Sequence, residues 1–146
     1  MRHTRQIING DCIEKMRKIK TNSVHLVITD PPFAIDFKEG HKAYNRKKEK
    51  VIAGYKDIDP EEYEQFTKRW LMQVQRVLRS DGSMYIISGF NNLNIIENTL
   101  KFFGFHVQNH IIWKYQFGVV QEKICHIPLS CIVCHKTQDK IQFLSQ

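Results

Sequence analysis

Nowhere in this chain of 146 residues do apolar side chains run to the roughly 18 in succession that a membrane-spanning helix needs. Residues 1–6 lead into no apolar segment of the signal-peptide kind, so a cytoplasmic location is expected. Cysteine is sparse, with only Cys12, Cys125, Cys131 and Cys134. One pair, Cys131-x-x-Cys134 followed by His135, has the spacing of metal ligands. Residues 129–134 read as a strand, however, where positions i and i+3 point to opposite faces, so these two thiols cannot converge on one ion. Reduced thiols and no metal site are expected, and the seven histidines form no His-x-x-x-His pair on a helix. Acidic residues are also in deficit: 15 Asp and Glu stand against 22 Lys and Arg, for a formal net charge of +7 and a pI near 9.3. That balance favours a polyanionic partner, nucleic acid ahead of a membrane surface. There is no internal repeat, low-complexity tract or linker, and 42% hydrophobic residues suffice for one domain with a packed core.

Against these absences one stretch stands out. Residues 24–29, Val-His-Leu-Val-Ile-Thr, form a mainly apolar run that ends abruptly at Asp30-Pro31-Pro32-Phe33. Six residues at about 3.3 Å each make a strand of roughly 20 Å, and apolar side chains on both faces suit a parallel strand covered on both sides. Pro31 and Pro32 have no backbone N–H and a fixed φ, and Pro31 holds Asp30 near extended geometry, so the ladder stops here and the tip is stiff. A carboxylate, a prolyl carbonyl free of ladder pairing and an aromatic face within a few ångströms of one another can hold both protons of an amino group while stacking on its planar ring.

The remainder of the chain alternates. Gln6-Ile7-Ile8 is a short strand candidate, and Asn9-Gly10-Asp11 caps a helix in which Cys12, Ile13, Met16 and Ile19 share a face. Residues 34–57 form a long polar basic loop. Loops of this length in compact domains are usually functional or disordered, and Lys42, Arg46, Lys47 and Lys48 are placed to neutralise phosphates, with Tyr44 available for stacking. Asp59-Pro60-Glu61-Glu62 marks a helix start. Tyr63, Phe66, Trp70, Val74, Val77 and Leu78 continue it as a core stripe up to the turn Ser80-Asp81-Gly82. Residues 83–88 read as a buried strand, and Leu93, Ile96, Leu100 and Phe103 as the inner face of a further helix that Gly104 ends. Phe105, Val107, Ile111 and Trp113 alternate with polar residues as a strand, and residues 129–134 form a last one. The pattern predicts an α/β fold, a mostly parallel sheet with helices on both faces and an antiparallel edge made by the final two strands. Ligands of such sheets bind beyond the carboxyl ends of the strands, where Asp11 and residues 30–33 fall.

In their order along the chain, Asn9-Gly10-Asp11-Cys12, Thr29-Asp30-Pro31-Pro32-Phe33, Arg76-Val77-Leu78, Ser80-Asp81-Gly82-Ser83 and Ile112-Trp113-Lys114 together resemble the permuted, so-called beta group of DNA amino-methyltransferases. The resemblance implies a Rossmann-like fold, S-adenosylmethionine as cofactor and DNA as partner. It implies that Asp30, Pro31, Pro32 and Phe33 are the catalytic tip that holds a flipped base, that Asp11 and Cys12 lie beside the cofactor's adenine, and that the basic loop contacts DNA. Asp-Pro-Pro goes more often with N6 of adenine in this family, and Ser-Pro-Pro with N4 of cytosine, so adenine is favoured. N4-cytosine methylation, an RNA or protein-glutamine methyltransferase, and a DNA-binding remnant without turnover are the alternatives. The sequence departs from the family at one place: it has no Phe-x-Gly-x-Gly loop, and its seven glycines include no Gly-x-Gly. Residues 1–146 are therefore expected to be a partial catalytic domain lacking the strands that carry the Gly-rich cofactor loop, completed by a second polypeptide or prone to self-association.

Overall fold

In the computed structural model, which describes residues 5–34, 57–113 and 129–136, the elements follow as α1 (Cys12–Met16), β1 (Val24–Thr29), α2 (Tyr63–Val77), β2 (Leu78–Ser88), α3 (Leu93–Phe102), β3 (Phe105–Trp113) and β4 (Leu129–Lys136). The strands form one mixed sheet in the order β1-β2-β4-β3. β1 and β2 are parallel neighbours with α2 between them in sequence, while β4 runs antiparallel to both β2 and β3. β2 and β3 thus point the same way with α3 between them in sequence and a strand's width between them in space. β4 fills that gap in the opposite direction, so among the described residues parallel pairing is confined to β1 and β2.

Helices on both faces were expected; among the described residues all three contribute to a core on one face. Leu71 and Val74 of α2 and Ile96 and Leu100 of α3 meet Met84 and Ile86 of β2, Ile132 and Cys134 of β4 and Phe105 of β3, with Ile13 and Met16 of α1 packed at the margin. The other face carries Leu26 and Ile28, 50% and 68% exposed, together with Tyr85 and Ile111. Leu26 and Ile28 belong to the strand that reads as covered on both sides. Cys134 lies on the core side and Cys131 on the open side, as strand geometry requires, and burial pushes the Cys134 thiol up to about 12. No described helix is long and apolar enough to cross a membrane.

Local chemistry explains most boundaries. Asp59 caps the turn Pro60–Glu62 by accepting the Glu61 N–H at 3.0 Å, with Pro60 at the first helical position, and α2 follows at once. Gly104 takes φ +72 just past α3, the conformation that ends a helix most cheaply at glycine. Four expectations are corrected. Residues 6–8 form no strand and Ile7 is fully exposed, since no described strand lies alongside to complete a ladder. α1 stops at Met16 rather than Ile19, its last carbonyls taken by other donors. α2 stops at Val77, and Ser80-Asp81-Gly82 lies within β2: pairing jumps from Val24 opposite Leu78 to Leu26 opposite Ser83, so the turn residues loop out of the ladder without ending the strand. A Cβ at Gly82 would sit 2.9 Å from a methyl of Leu78, so any larger residue there would have to displace the buried Leu78 side chain. In β3, a bulge between Val107 and Asn109 reverses the alternation, so Val107 shares the face of Cys134 while Ile111 shares that of Cys131.

Arg76 ties α1 to the end of α2. Its guanidinium donates to the carbonyls of Met16 (2.6 Å) and Ile19 (2.8 Å) and to Thr21 Oγ1 (3.2 Å), satisfying the orphan end of α1. Arg76→Ala should destabilise the chain by about 2 kcal/mol, the size of a lost charge-assisted hydrogen bond to part-buried acceptors, read as a lowered urea midpoint with unchanged slope. Arg76→Lys should recover only part, because one ammonium cannot span all three acceptors.

Candidate active site

The ladder of β1 ends with Thr29 opposite Ile86, while β2 continues to Ser88, with Gly89 next in the chain. Residues 30–33 therefore lie beside the carboxyl end of β2, at the end of the parallel pair where ligands of α/β sheets bind. Pro31 is buried, Pro32 and Phe33 are half-buried, and Asp30 is exposed. Partial desolvation nevertheless raises the Asp30 carboxyl above its ordinary 3.8. The Phe33 ring lies over Gly89, where an added Cβ would be in ordinary contact with it at 3.5 Å.

Two residues that sequence reasoning passed over grip the tip. Asn92 Nδ2 donates to the Phe33 carbonyl at 2.5 Å, and Asp57 Oδ1 accepts from the N–H of Ala34 at 3.2 Å and of Ile58 at 2.9 Å. Ala34 is buried and has φ +51, a left-handed conformation uncommon outside glycine. Asn92 directly precedes α3, yet its side chain makes no capping bond. Asp57, two residues before a stronger capping signal, carries no mark at all. Around the buried Tyr63 hydroxyl stand Thr67, Ser88 and Asp57, and burial pushes the Tyr63 phenol up. The Ser88 hydroxyl donates to the Gly89 carbonyl at 3.0 Å.

The second expected group lies at the start of α1. Asp11 Oδ1 accepts from the N–H of Ile13 (2.8 Å) and Glu14 (3.1 Å), leaving Oδ2 outside both bonds. Asp11 and Cys12 are exposed, and the Cys12 thiol is raised by burial and then by the Asp11 charge. The exposed Asp11 edge suits the rim of a cofactor pocket. The described glycines, Gly10, Gly82, Gly89 and Gly104, are scattered over separate turns and make no cradle. Lys42, Arg46, Lys47 and Lys48 lie outside the described residues.

Across residues 24–140, from the start of β1 to beyond β4, the chain matches a family model described as DNA methylase, N6_N4_Mtase. The chain belongs to this DNA methylase family. The chain is 32% identical over 113 residues to the type II methyltransferase M.HinfI of Haemophilus influenzae, covering 74% of this chain and 31% of that protein. It is 30% identical over 124 residues to the DNA adenine methyltransferase YhdJ of Escherichia coli K12, covering 80% and 35%. Among solved structures, a Thermus thermophilus protein named as a DNA modification methylase, complexed with S-adenosyl-L-methionine, superposes with a TM-score of 0.59 at 23% identity, covering 91% of this chain and 57% of that one. The cytosine-N4-specific PvuII DNA methyltransferase superposes at 0.62 and 18%, covering 88% and 48%. The chain thus has part of the Rossmann-like fold of S-adenosylmethionine-dependent DNA methyltransferases. It spans about a third of the length of these curated relatives and about half of these solved chains.

Proposed function

We propose that this chain is the catalytic part of a site-specific DNA methyltransferase of the permuted beta group, acting in the cytoplasm in a restriction-modification or related system. It moves a methyl group from S-adenosylmethionine to an exocyclic amine of DNA, N6 of adenine. The observation that carries the reading is the tip itself: a partly desolvated Asp30, a buried Pro31 and a half-buried aromatic Phe33 at the carboxyl end of the parallel pair. The family match and the adenine methyltransferase among the relatives support it. N4 of cytosine is the second reading, supported by the cytosine-N4-specific neighbour.

The chemistry follows from the target. The lone pair of an exocyclic amine is delocalised into its ring, so the amine is a poor nucleophile until something localises that pair. Hydrogen bonds from its two protons to the Asp30 carboxylate and the Pro31 carbonyl favour a more tetrahedral nitrogen, aimed along one line. Phe33 stacks on the extruded base and offsets part of the few kcal/mol spent on unstacking it. Bound S-adenosylmethionine supplies the electrophilic methyl group, with Asp11 and Cys12 beside its adenine.

No Gly-rich cradle stands among the described residues. We assign it to a second polypeptide carrying the Gly-rich strand-loop-helix, which would pair along the outer edge of β1 and cover Leu26, Ile28 and Tyr85 on the open face. Isolated chains are expected to self-associate through the same surface. The deciding experiment incubates DNA with labelled S-adenosylmethionine, the chain and its partner, then separates the nucleosides. N6-methyladenine supports the reading and N4-methylcytosine moves it to the second. Label in RNA or in protein glutamine moves it to another substrate class, and DNA binding without transfer makes the chain a binding remnant.

DNA contacts are assigned to Lys42, Arg46, Lys47 and Lys48 of the basic loop. Changing Arg46, Lys47 and Lys48 together to Gln should weaken binding to all DNA sequences alike and flatten the salt dependence by at most about three phosphate contacts. Unchanged affinity and slope would remove the loop from the interface.

A further inference from the structure

The tip is anchored in an unusual place. Pro31 and Pro32 donate no hydrogen bond, and the ladder of β1 has already ended at Thr29. The first peptide group beyond the prolines with described anchors is the one joining Phe33 to Ala34. Its oxygen accepts from Asn92 Nδ2 (2.5 Å) and its N–H donates to Asp57 Oδ1 (3.2 Å). In a trans peptide the C=O and N–H point in opposite directions, so the two side chains grip a single plane from both edges and fix its rotation. That rotation sets ψ of Phe33 and φ of Ala34, the latter at +51 where a non-glycine residue stays only if its surroundings hold it. The grips come from separate parts of the chain, 23 and 59 positions away. Asp57 precedes the start of α2 and Asn92 ends the turn Phe90–Asn92 before α3, two helices that pack on each other.

We infer that Asp57 and Asn92 are positioning residues that hold this peptide plane and so set the direction of Phe33 and the placement of Asp30, an inference that rests on the proposed role of residues 30–33. The clamp needs an acceptor at 57 and a donor at 92, not charge. Near-isosteric exchanges must therefore act in opposite senses. Asn92→Asp sets a carboxylate oxygen against the Phe33 carbonyl and turns an attraction into repulsion, whereas Asp57→Asn still offers an oxygen to Ala34.

The test has two arms on the full chain. In the first, amide hydrogen exchange is read at Ala34 and at Met84 and Ile86 in the core. Asp57→Ala should speed exchange at Ala34 by about tenfold or more with the core amides unmoved, and Asp57→Asn should restore most of the protection. In the second, methyl transfer is measured with the partner present. Asn92→Asp and Asp57→Ala should lower kcat by about 10- to 100-fold, the cost of a tip displaced by an ångström, with KM for DNA and for S-adenosylmethionine within about threefold. Asp57→Asn should recover most of the rate lost in Asp57→Ala. The inference is overturned by unchanged exchange at Ala34 in Asp57→Ala, by a kcat of Asn92→Asp within threefold of the parent, or by Asp57→Asn being as impaired as Asp57→Ala. Faster exchange throughout the core would also overturn it, making these folding residues only. If the parent methylates nothing, the proposed function falls while the exchange arm still judges the clamp.

Discussion

Asp30→Ala should abolish methyl transfer in the completed enzyme and leave its affinity for DNA nearly unchanged. In the proposed role the carboxylate acts on the amine of the target base, not on phosphates, so the loss belongs in kcat. Removing one hydrogen bond made to a developing charge costs roughly 10²-fold or more in rate, and turnover within about tenfold of the parent would sink the role assigned to Asp30. The pH dependence gives an independent reading of the same group. Burial raises the Asp30 carboxyl above 3.8, and only the ionised form accepts two-centre hydrogen bonds freely. Activity should therefore fall on the acid side at a higher pH than an unperturbed aspartate would produce, and Asp30→Ala should leave no such limb in any residual rate. The sign for stability is the reverse. A raised carboxyl contributes stability below its unfolded value and loses it as pH rises through the folded value, so the folded chain carries a small cost at the pH where the tip works.

On the proposed reading, residues 1–146 alone are expected to bind S-adenosylmethionine weakly or not at all, and to methylate DNA only once a Gly-rich strand-loop-helix is supplied. On that reading, nothing among the described residues beyond the Asp11 edge is placed to fix the methionine arm and ribose of the cofactor, so its methyl group would not be held over the Asp30 tip. Among the described residues β1 has a partner on one side only, and Leu26 and Ile28 are half or more exposed on the open face. An unpaired edge beside apolar surface favours association with another chain. Calorimetric titration measures this directly. Micromolar cofactor binding by a purified monomer, with DNA methylation and no partner, would show that the chain needs no completion.

The sequence by itself determined the tip, because two prolines after an apolar run stop a strand by covalent chemistry that no tertiary context can undo. It also determined the start of α2, where Asp59 and Pro60 act within one turn, and the inner face of α3, whose Ile96 and Leu100 are fully buried. The tertiary structure decided what depends on partners distant in sequence. Whether Gln6-Ile7-Ile8 becomes a strand depends on a neighbour to pair with, and none stands beside it among the described residues. The bulge in β3 and the looped-out Ser80-Asp81-Gly82 are set by register against other strands, which residue period alone does not encode. The grip on the peptide between Phe33 and Ala34 is of the same kind. Asp57 and Asn92 are ordinary polar residues near helix starts, and only the packing of α2 against α3 brings both to one peptide plane beside Asp30.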